Sequence, residues 1–255
     1  MSLEMPAYEN LGNYLVPTLN KQGWMIDKIV DEYTKEFIEF ASKKESYSLE
    51  IGAAYGNVSL EVLKNGGKMI TNDLDERHLE ILYNKTPDNL KTNLKILSGS
   101  CTENLDIETE SLAGIYCSRV FHFFTSDVIL ETLKKMRSLL QKEGKIFVVT
   151  DSIFHSYNKK NFDNYLRKKF LNMKDAGALK PQEFMIHSDD PDVQEHFKST
   201  LPTFFNLIDI ETMCNLFNEA GFITEKVGYF SRKGCYPDES LWDGREGFGI
   251  VGIKY

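Results

Sequence analysis

Thiols are scarce in this chain. Cys101, Cys117, Cys214 and Cys235 are its four cysteines, and they form no CxxC pair and no zinc-type spacing. That argues against a structural zinc site, and free thiols in a reducing cytoplasm are the simplest reading. Long apolar runs are missing as well. Stretches such as Ile146–Val149 fall far short of the ~20 residues that cross a bilayer, so no membrane partner is expected. The first residues lack the basic region and apolar stretch of a signal peptide. Positive charge is in deficit: Lys plus Arg is 30 against 38 for Asp plus Glu, a formal net charge of −8. A polyanion is held largely through Lys and Arg, so nucleic acid is disfavoured as a partner. There is no internal repeat and no low-complexity tract.

What is present suits a folded domain. Hydrophobic residues make up 42% of the chain, enough for a core. At ~150 residues per domain, 255 residues lie between one domain and two. Apolar positions at helical spacing (Ile26, Ile29, Val30, Tyr33, Phe37) predict a helix over 25–41. Tyr47–Ile51 reads as a strand, VSLEVL as a helix stopped by Gly66-Gly67, and KMITN as a strand ending at Asp73. A helix over 76–83 and short apolar runs at Leu94–Leu97 and Gly114–Cys117 follow. Ser126–Gln141 carries Ile129, Leu133, Met136 and Leu140 on one stripe, with Thr125 or Ser126 to cap it and Gly144 to end it. KIFVVT is apolar on both parities, as in a strand buried on both faces.

This alternation predicts an α/β fold: a doubly wound, mostly parallel sheet with helices on both faces. The pattern breaks over 151–208, where no strand is expected. It resumes with a helix over 210–220 and strands over 222–231 and 247–255.

In such a sheet, ligands bind beyond the carboxyl ends of the strands. The first strand ends in Glu50-Ile51-Gly52-Ala53-Ala54-Tyr55-Gly56-Asn57. Glycines let the backbone approach a ligand, and the next helix offers free N–H groups. A dinucleotide fingerprint needs glycine at 52, 54 and 57, and Ala54 and Asn57 fail it. A phosphate loop ending GK[ST] is absent. The pattern that fits is acidic-x-G-x-small-x-G, which resembles motif I of the class I S-adenosylmethionine-dependent methyltransferases, with Ala54 in place of the usual middle glycine. ITNDLDERHLEIL resembles that family's second motif. KEGKIFVV resembles its fifth strand, and EAGF the approach to its sixth. The resemblance covers residues 48–150 and about 205–255.

The resemblance implies a seven-stranded Rossmann-like sheet in one domain, with an N-terminal helical arm over 1–47 and a helical cap inserted over 151–204. It implies S-adenosyl-L-methionine as cofactor, with S-adenosyl-L-homocysteine as product. Glu50, Gly52, Ala53, Ala54, Gly56 and Asn57 would belong to the cofactor site, with Glu50 helping to hold the methionine amino end, and Asp73 would accept from the ribose hydroxyls beside Leu74. Ser100, where the family usually has aspartate, and Cys101 would read the adenine. Ser118, Arg119 and Val120 would line the methionine end of the cofactor.

Methyl transfer is in-line displacement, so positioning supplies most of the acceleration. A base is needed only if the nucleophile arrives protonated, and His122 and His155 are the candidates. CSRVFH is not the [N/D/S]PPY-type segment of base-amino methylation, and there is no Pro-Cys nucleophile pair. Only Asp151 stands where catechol-type enzymes place metal ligands. Methylation of an oxygen or nitrogen of a small molecule is therefore the expected function. The alternatives are action on a protein or RNA partner, or a nicotinamide-dependent oxidoreductase.

Other features have plainer readings. His187, Asp189, Asp190, Asp192 and His196 match metal ligands by type, yet Asp190-Pro191 equally caps a helix, and no metal is expected. The basic stretch 159–174 is a solvated face or a guide for an anionic acceptor. Tyr8, Tyr14 and Trp24 either close over the cofactor or anchor the arm.

Overall fold

The apolar runs pair into a seven-stranded sheet. The computed structural model describes residues 3–6, 14–103, 105–179, 204–236 and 238–255. Tyr8 and the group from His187 to His196 lie outside these residues. The sheet contains β3 (Ser48–Ile51), β4 (Met69–Asp73), β5 (Leu94–Ser98), β6 (Leu112–Ser118), β7 (Leu140–Asp151), β10 (Ile223–Phe230) and β11 (Gly247–Ile253). Their order is β10-β11-β7-β6-β3-β4-β5. β11 runs antiparallel to both neighbours, and β3 to β7 are parallel. The order reverses around β3, where the carboxyl ends of β3 and β6 open a crevice.

Alternating side chains divide the core. Ile146, Val148 and Ile250 face one layer with Leu133 of α4 (Ser126–Leu139) and Phe217 of α6 (Ile210–Glu219). Phe147, Val149 and Val251 face the other, with Phe37 of α1 (Glu32–Ser42) and Leu63 of α2 (Asn57–Lys64). α3 (Glu76–Lys85) covers the β4–β5 side through Leu82. Burial on both parities of β7 is what its unbroken apolar run requires.

Five local expectations change. The helix expected from residue 25 begins at Glu32, because Asp31 supplies the cap: its Oδ1 accepts from Thr34 N at 2.8 Å. Trp24–Ile26 forms β2 and pairs antiparallel with β1 (Leu15–Pro17), so the arm read as helical opens on a hairpin. That hairpin buries Val16 against Tyr55 and Ile81. Gly144 does not end α4. The helix stops at Leu139, and Leu140 already pairs with Leu112. Thr125 makes no side-chain cap; instead Ser126 N and Oγ donate to Asp175 Oδ1 at 2.7 and 2.6 Å. The segment after β7 holds α5 (Phe162–Phe170), as its helical pattern suggests. It also holds β8 (Ala178–Leu179), paired with β9 (Phe205–Asn206) where no strand was expected. Strands of two residues are too short for alternation to show.

Candidate functional site

A cavity of about 860 Å³ opens along the carboxyl edge of the sheet. It runs from Asp73 at the end of β4 to Asp151 at the end of β7, and the β1–β2 hairpin contributes Trp24 and Met25 to its wall.

The β3 turn builds one end. Gly52 and Gly56 sit at φ +64° and +69°, in the left-handed region. A Cβ at Gly52 would lie 2.3 Å from Val120 Cγ2. Ala54 takes φ +46° despite its Cβ, and its N–H donates to Asp73 Oδ2 at 2.7 Å. Ala53 N donates to the Asn72 carbonyl. The Asn57 side chain donates to Asp27, tying the turn to the chain beyond the hairpin.

Glu50 is buried, and its Oε2 accepts from both the N–H and the hydroxyl of Ser59. Burial pushes its carboxyl up to about 7, against those hydrogen bonds.

Asp73 is more occupied than a free ribose acceptor. Its Oδ1 takes the Asp75 N–H at 2.9 Å and His78 Nδ1 at 3.0 Å. His78 Nε2 accepts from Leu19 N at 2.9 Å, so in the neutral ring Nδ1 carries the hydrogen and donates to Asp73. Three protein donors therefore fill three of the roughly four acceptor positions of the carboxylate, leaving one on Oδ2. Leu74 is exposed at the cavity edge. Ser100 Oγ pairs with Thr102 Oγ1 at 2.7 Å, and Cys101 is a buried thiol pushed up to about 11 by that burial.

The far end is a buried charge cluster. Arg232 donates to Asp151 Oδ1 at 3.0 Å, and Tyr236 OH donates to its Oδ1 and Oδ2 at 3.2 and 3.1 Å. Arg119 Nε lies 3.7 Å from Oδ2. His122 Nδ1 and His155 Nε2 stand 3.9 and 3.8 Å from the two oxygens. Burial opposes ionisation of Asp151, yet Arg232, then His155 and Arg119, hold its carboxyl well below the usual range. Burial pushes His122 down to about 3 and Tyr236 up to about 12, so both are neutral at pH 7. Glu246 holds the loop that presents Arg232 and Tyr236. It accepts from the N–H groups of Trp242, Asp243, Gly244 and Arg232.

Thus the cavity brings together the predicted residues of the β3, β4, β5 and β6 ends with His122 and His155, except Gly56, which packs against Leu82. Sequence reasoning missed Arg232 and Tyr236, and weighed Asp151 only as a metal ligand. The position of Asp151 at a strand end was the available signal. Nothing local marks RKGCY as part of a site; only the pairing of β10 with β11 brings it there. Trp24 lines the cavity, whereas Tyr14 stacks under Lys28 Nζ at 4.3 Å.

The residues fit S-adenosylmethionine. Gly52 turns in the left-handed region at the cavity, two acids stand at the ends of β3 and β4, and one acceptor position of Asp73 remains. Comparison with known proteins agrees. A family model described as a methyltransferase domain matches residues 49–144. Ribosomal RNA small subunit methyltransferase A of Mycoplasma capricolum is 26% identical over 190 residues, which are 66% of this chain. The chain spans about 65% of that relative's length. Among solved structures, a SAM-dependent methyltransferase of Methanosarcina mazei superposes with a TM-score of 0.60 at 12% identity, covering 86% of this chain and 96% of the other. A putative S-adenosylmethionine-dependent methyltransferase of Listeria monocytogenes gives 0.59 at 13%, covering 88% and 98%. A Haloferax volcanii complex of the Trm112 methyltransferase activator with a putative methyltransferase gives 0.55 at 12%, covering 87% and 88%. With its seven-stranded order and its β3 turn, the chain has the fold of these S-adenosylmethionine-dependent methyltransferases, and residues 49–144 match a methyltransferase domain.

Proposed function

We propose that this protein transfers a methyl group from S-adenosylmethionine to an oxygen or nitrogen of a small-molecule acceptor, in the cytoplasm. One observation carries the reading: a single cavity of about 860 Å³ joins the β3–β4 turn to the Asp151 cluster. That volume lies in the upper part of the usual range for small-ligand sites, which suits a nucleoside and a small acceptor side by side.

When bound, the cofactor supplies a methyl carbon activated by a sulfonium. The protein's part is positioning and water exclusion. Gly52 admits the ligand against the β3 backbone, and Asp73 offers its remaining acceptor position to a ribose hydroxyl. Glu50, raised to about 7, gains charge beside a cationic amino group. His155, beside Asp151, takes a proton from an acceptor that arrives protonated. His122, held near 3, is too weak a base for that and serves as a neutral wall with Phe123 and Phe205, whose ring centroids lie 4.3 Å from its own.

Titration calorimetry with S-adenosylhomocysteine tests the reading, with NAD as control. One-to-one binding of the first and none of the second is expected. The reverse result sinks it.

The likeness to a ribosomal RNA methyltransferase favours a second reading, an RNA acceptor. Against it stand the net charge of −8 and the CSRVFH segment. RNA binding that weakens steeply with salt and on neutralising Arg167 and Lys168 of α5 would move the assignment there.

A further inference from the structure

Charged side chains of both signs meet around Asp151. Two guanidinium groups, Arg119 and Arg232, share one carboxylate. Arg232 and Tyr236 already occupy both oxygens of that carboxylate by hydrogen bonds. Arg119 is left 3.7 Å away with no side-chain hydrogen bond among the described residues, and its Nε is buried without a partner. Arg232 Nε is likewise buried and unpartnered. Asp31 stands nearby as a second carboxylate and also favours the Arg232 cation. Its oxygens accept from the Thr34 N–H and hydroxyl, while Lys28 adds a further cation to the same wall. A buried guanidinium with unmet donors is costly unless a ligand completes it.

The backbone also aims Arg119. Its φ of +58° is unusual for a side chain with a Cβ. Its N–H is fixed by the Val149 carbonyl at 2.8 Å. The guanidinium packs over Tyr236, 5.7 Å from the ring centroid, on the β7 side of β6. Gly52 and Asp73 belong to β3 and β4, on the other side of β6. Strands lie about 4.8 Å apart, so Asp151 on β7 is displaced roughly 10 Å across the sheet from the Gly52 turn. Val120, the next residue, abuts Gly52, whereas the Arg119 guanidinium turns to the β7 end beside Asp151.

We propose that the acceptor is a small aromatic acid whose carboxylate docks on Arg119, with Arg232 and Tyr236 behind it. This rests on the methyl-transfer reading above and names its substrate class. A planar guanidinium matches a carboxylate bidentately. Phe123, Phe205 and Tyr236 supply aromatic walls for the ring. The carboxylate anchors the molecule, and its oxygen or nitrogen nucleophile faces the methyl group.

The test uses benzoate, 2-hydroxybenzoate and 2-aminobenzoate, each against its primary amide. Binding is followed by ligand-observed NMR with and without saturating S-adenosylhomocysteine. The acids are expected to bind and the amides not. Arg119→Gln is expected to weaken acid binding about 10- to 100-fold while the affinity for S-adenosylhomocysteine stays within twofold. Arg119→Lys keeps the charge and loses the fork, so it should fall between, and it also serves if the glutamine variant does not fold. Equal binding of acids and amides, or binding of neither, overturns the proposal. So does a loss of S-adenosylhomocysteine affinity in Arg119→Gln that methylthioadenosine does not show, because Arg119 would then serve the cofactor's carboxylate. Failure of the wild-type protein to bind S-adenosylhomocysteine strikes the methyl-transfer reading instead. The titrations without it still decide the acid site.

Discussion

Replacing Asp73 by Asn is the most informative single change, because the residue has two separable jobs. All three of its protein partners are donors: Ala54 N, Asp75 N and His78 Nδ1. An amide keeps one acceptor oxygen and turns the other into a donor. If the amide nitrogen faces Ala54, the Ala54 N–H loses its acceptor. If it faces Asp75 and His78, two donors lose theirs. The side chain is buried, so the gentler orientation costs about 1–3 kcal/mol of stability. The same orientation removes the acceptor position left on Oδ2, which we assign to a ribose hydroxyl. Loss of one hydrogen bond to a charged group weakens cofactor binding by about 1.5–3 kcal/mol, or roughly 10- to 160-fold. Urea unfolding measures the first effect and calorimetric titration with S-adenosylhomocysteine the second, below the unfolding transition. A folded Asp73→Asn protein with undiminished affinity would refute the ribose assignment. Unchanged stability would refute the donor network. His78→Ala separates the two further, since it removes a donor to Asp73 and the acceptor for Leu19 while leaving the carboxylate charged.

Two more predictions follow from the β3 turn. Gly52→Ala places a Cβ 2.3 Å from Val120 Cγ2 at φ +64°, and is expected to cost about 2–4 kcal/mol in urea unfolding. Adding Val120→Ala should return the steric part and leave about 1–2 kcal/mol for the backbone; a double variant no more stable than Gly52→Ala would show that the contact is not the cause. Glu50 has an ordinary value of 4.5 and is raised to about 7, so between those values the native state binds more protons than the unfolded chain. Its contribution is therefore complete below pH 4.5 and is lost as pH rises through 7, on the order of 3 kcal/mol by pH 8. Unfolding of the ligand-free protein from pH 4.5 to 8 should show that decline, and Glu50→Gln should flatten it; parallel profiles would contradict the assignment.

The sheet was legible because its strands are buried on both faces and read as unbroken apolar runs, KIFVVT most plainly. Glu50, Gly52 and Asp73 were legible because strand ends and glycine turns fix where ligands go in such a fold. Three-residue strands such as β1 and β2 leave no periodicity. The apolar residues of β2 instead joined the stripe of α1 and carried the helix forecast too far toward the N-terminus. Arg232 and Tyr236 reach the cavity through the β10–β11 pairing and Glu246, contacts that no local pattern encodes. The capping of α4 by Asp175, 49 residues away, is of the same kind.

Both ends of the cavity use one physical device. Each holds a strained non-glycine residue in the left-handed region, Ala54 at φ +46° and Arg119 at φ +58°. Such a conformation costs roughly 1–2 kcal/mol per residue, so it persists only where other contacts fix it. Ala54 is fixed through its N–H to Asp73 and Arg119 through its N–H to the Val149 carbonyl. Buried carboxylates then organise the surrounding loops. Asp73 reaches the hairpin through His78 and Leu19, and Glu246 gathers four backbone N–H groups of the loop that carries Arg232. Ligand groups meeting these ends therefore meet donors and acceptors already in place. That is the condition under which binding energy goes to alignment rather than to ordering the loops.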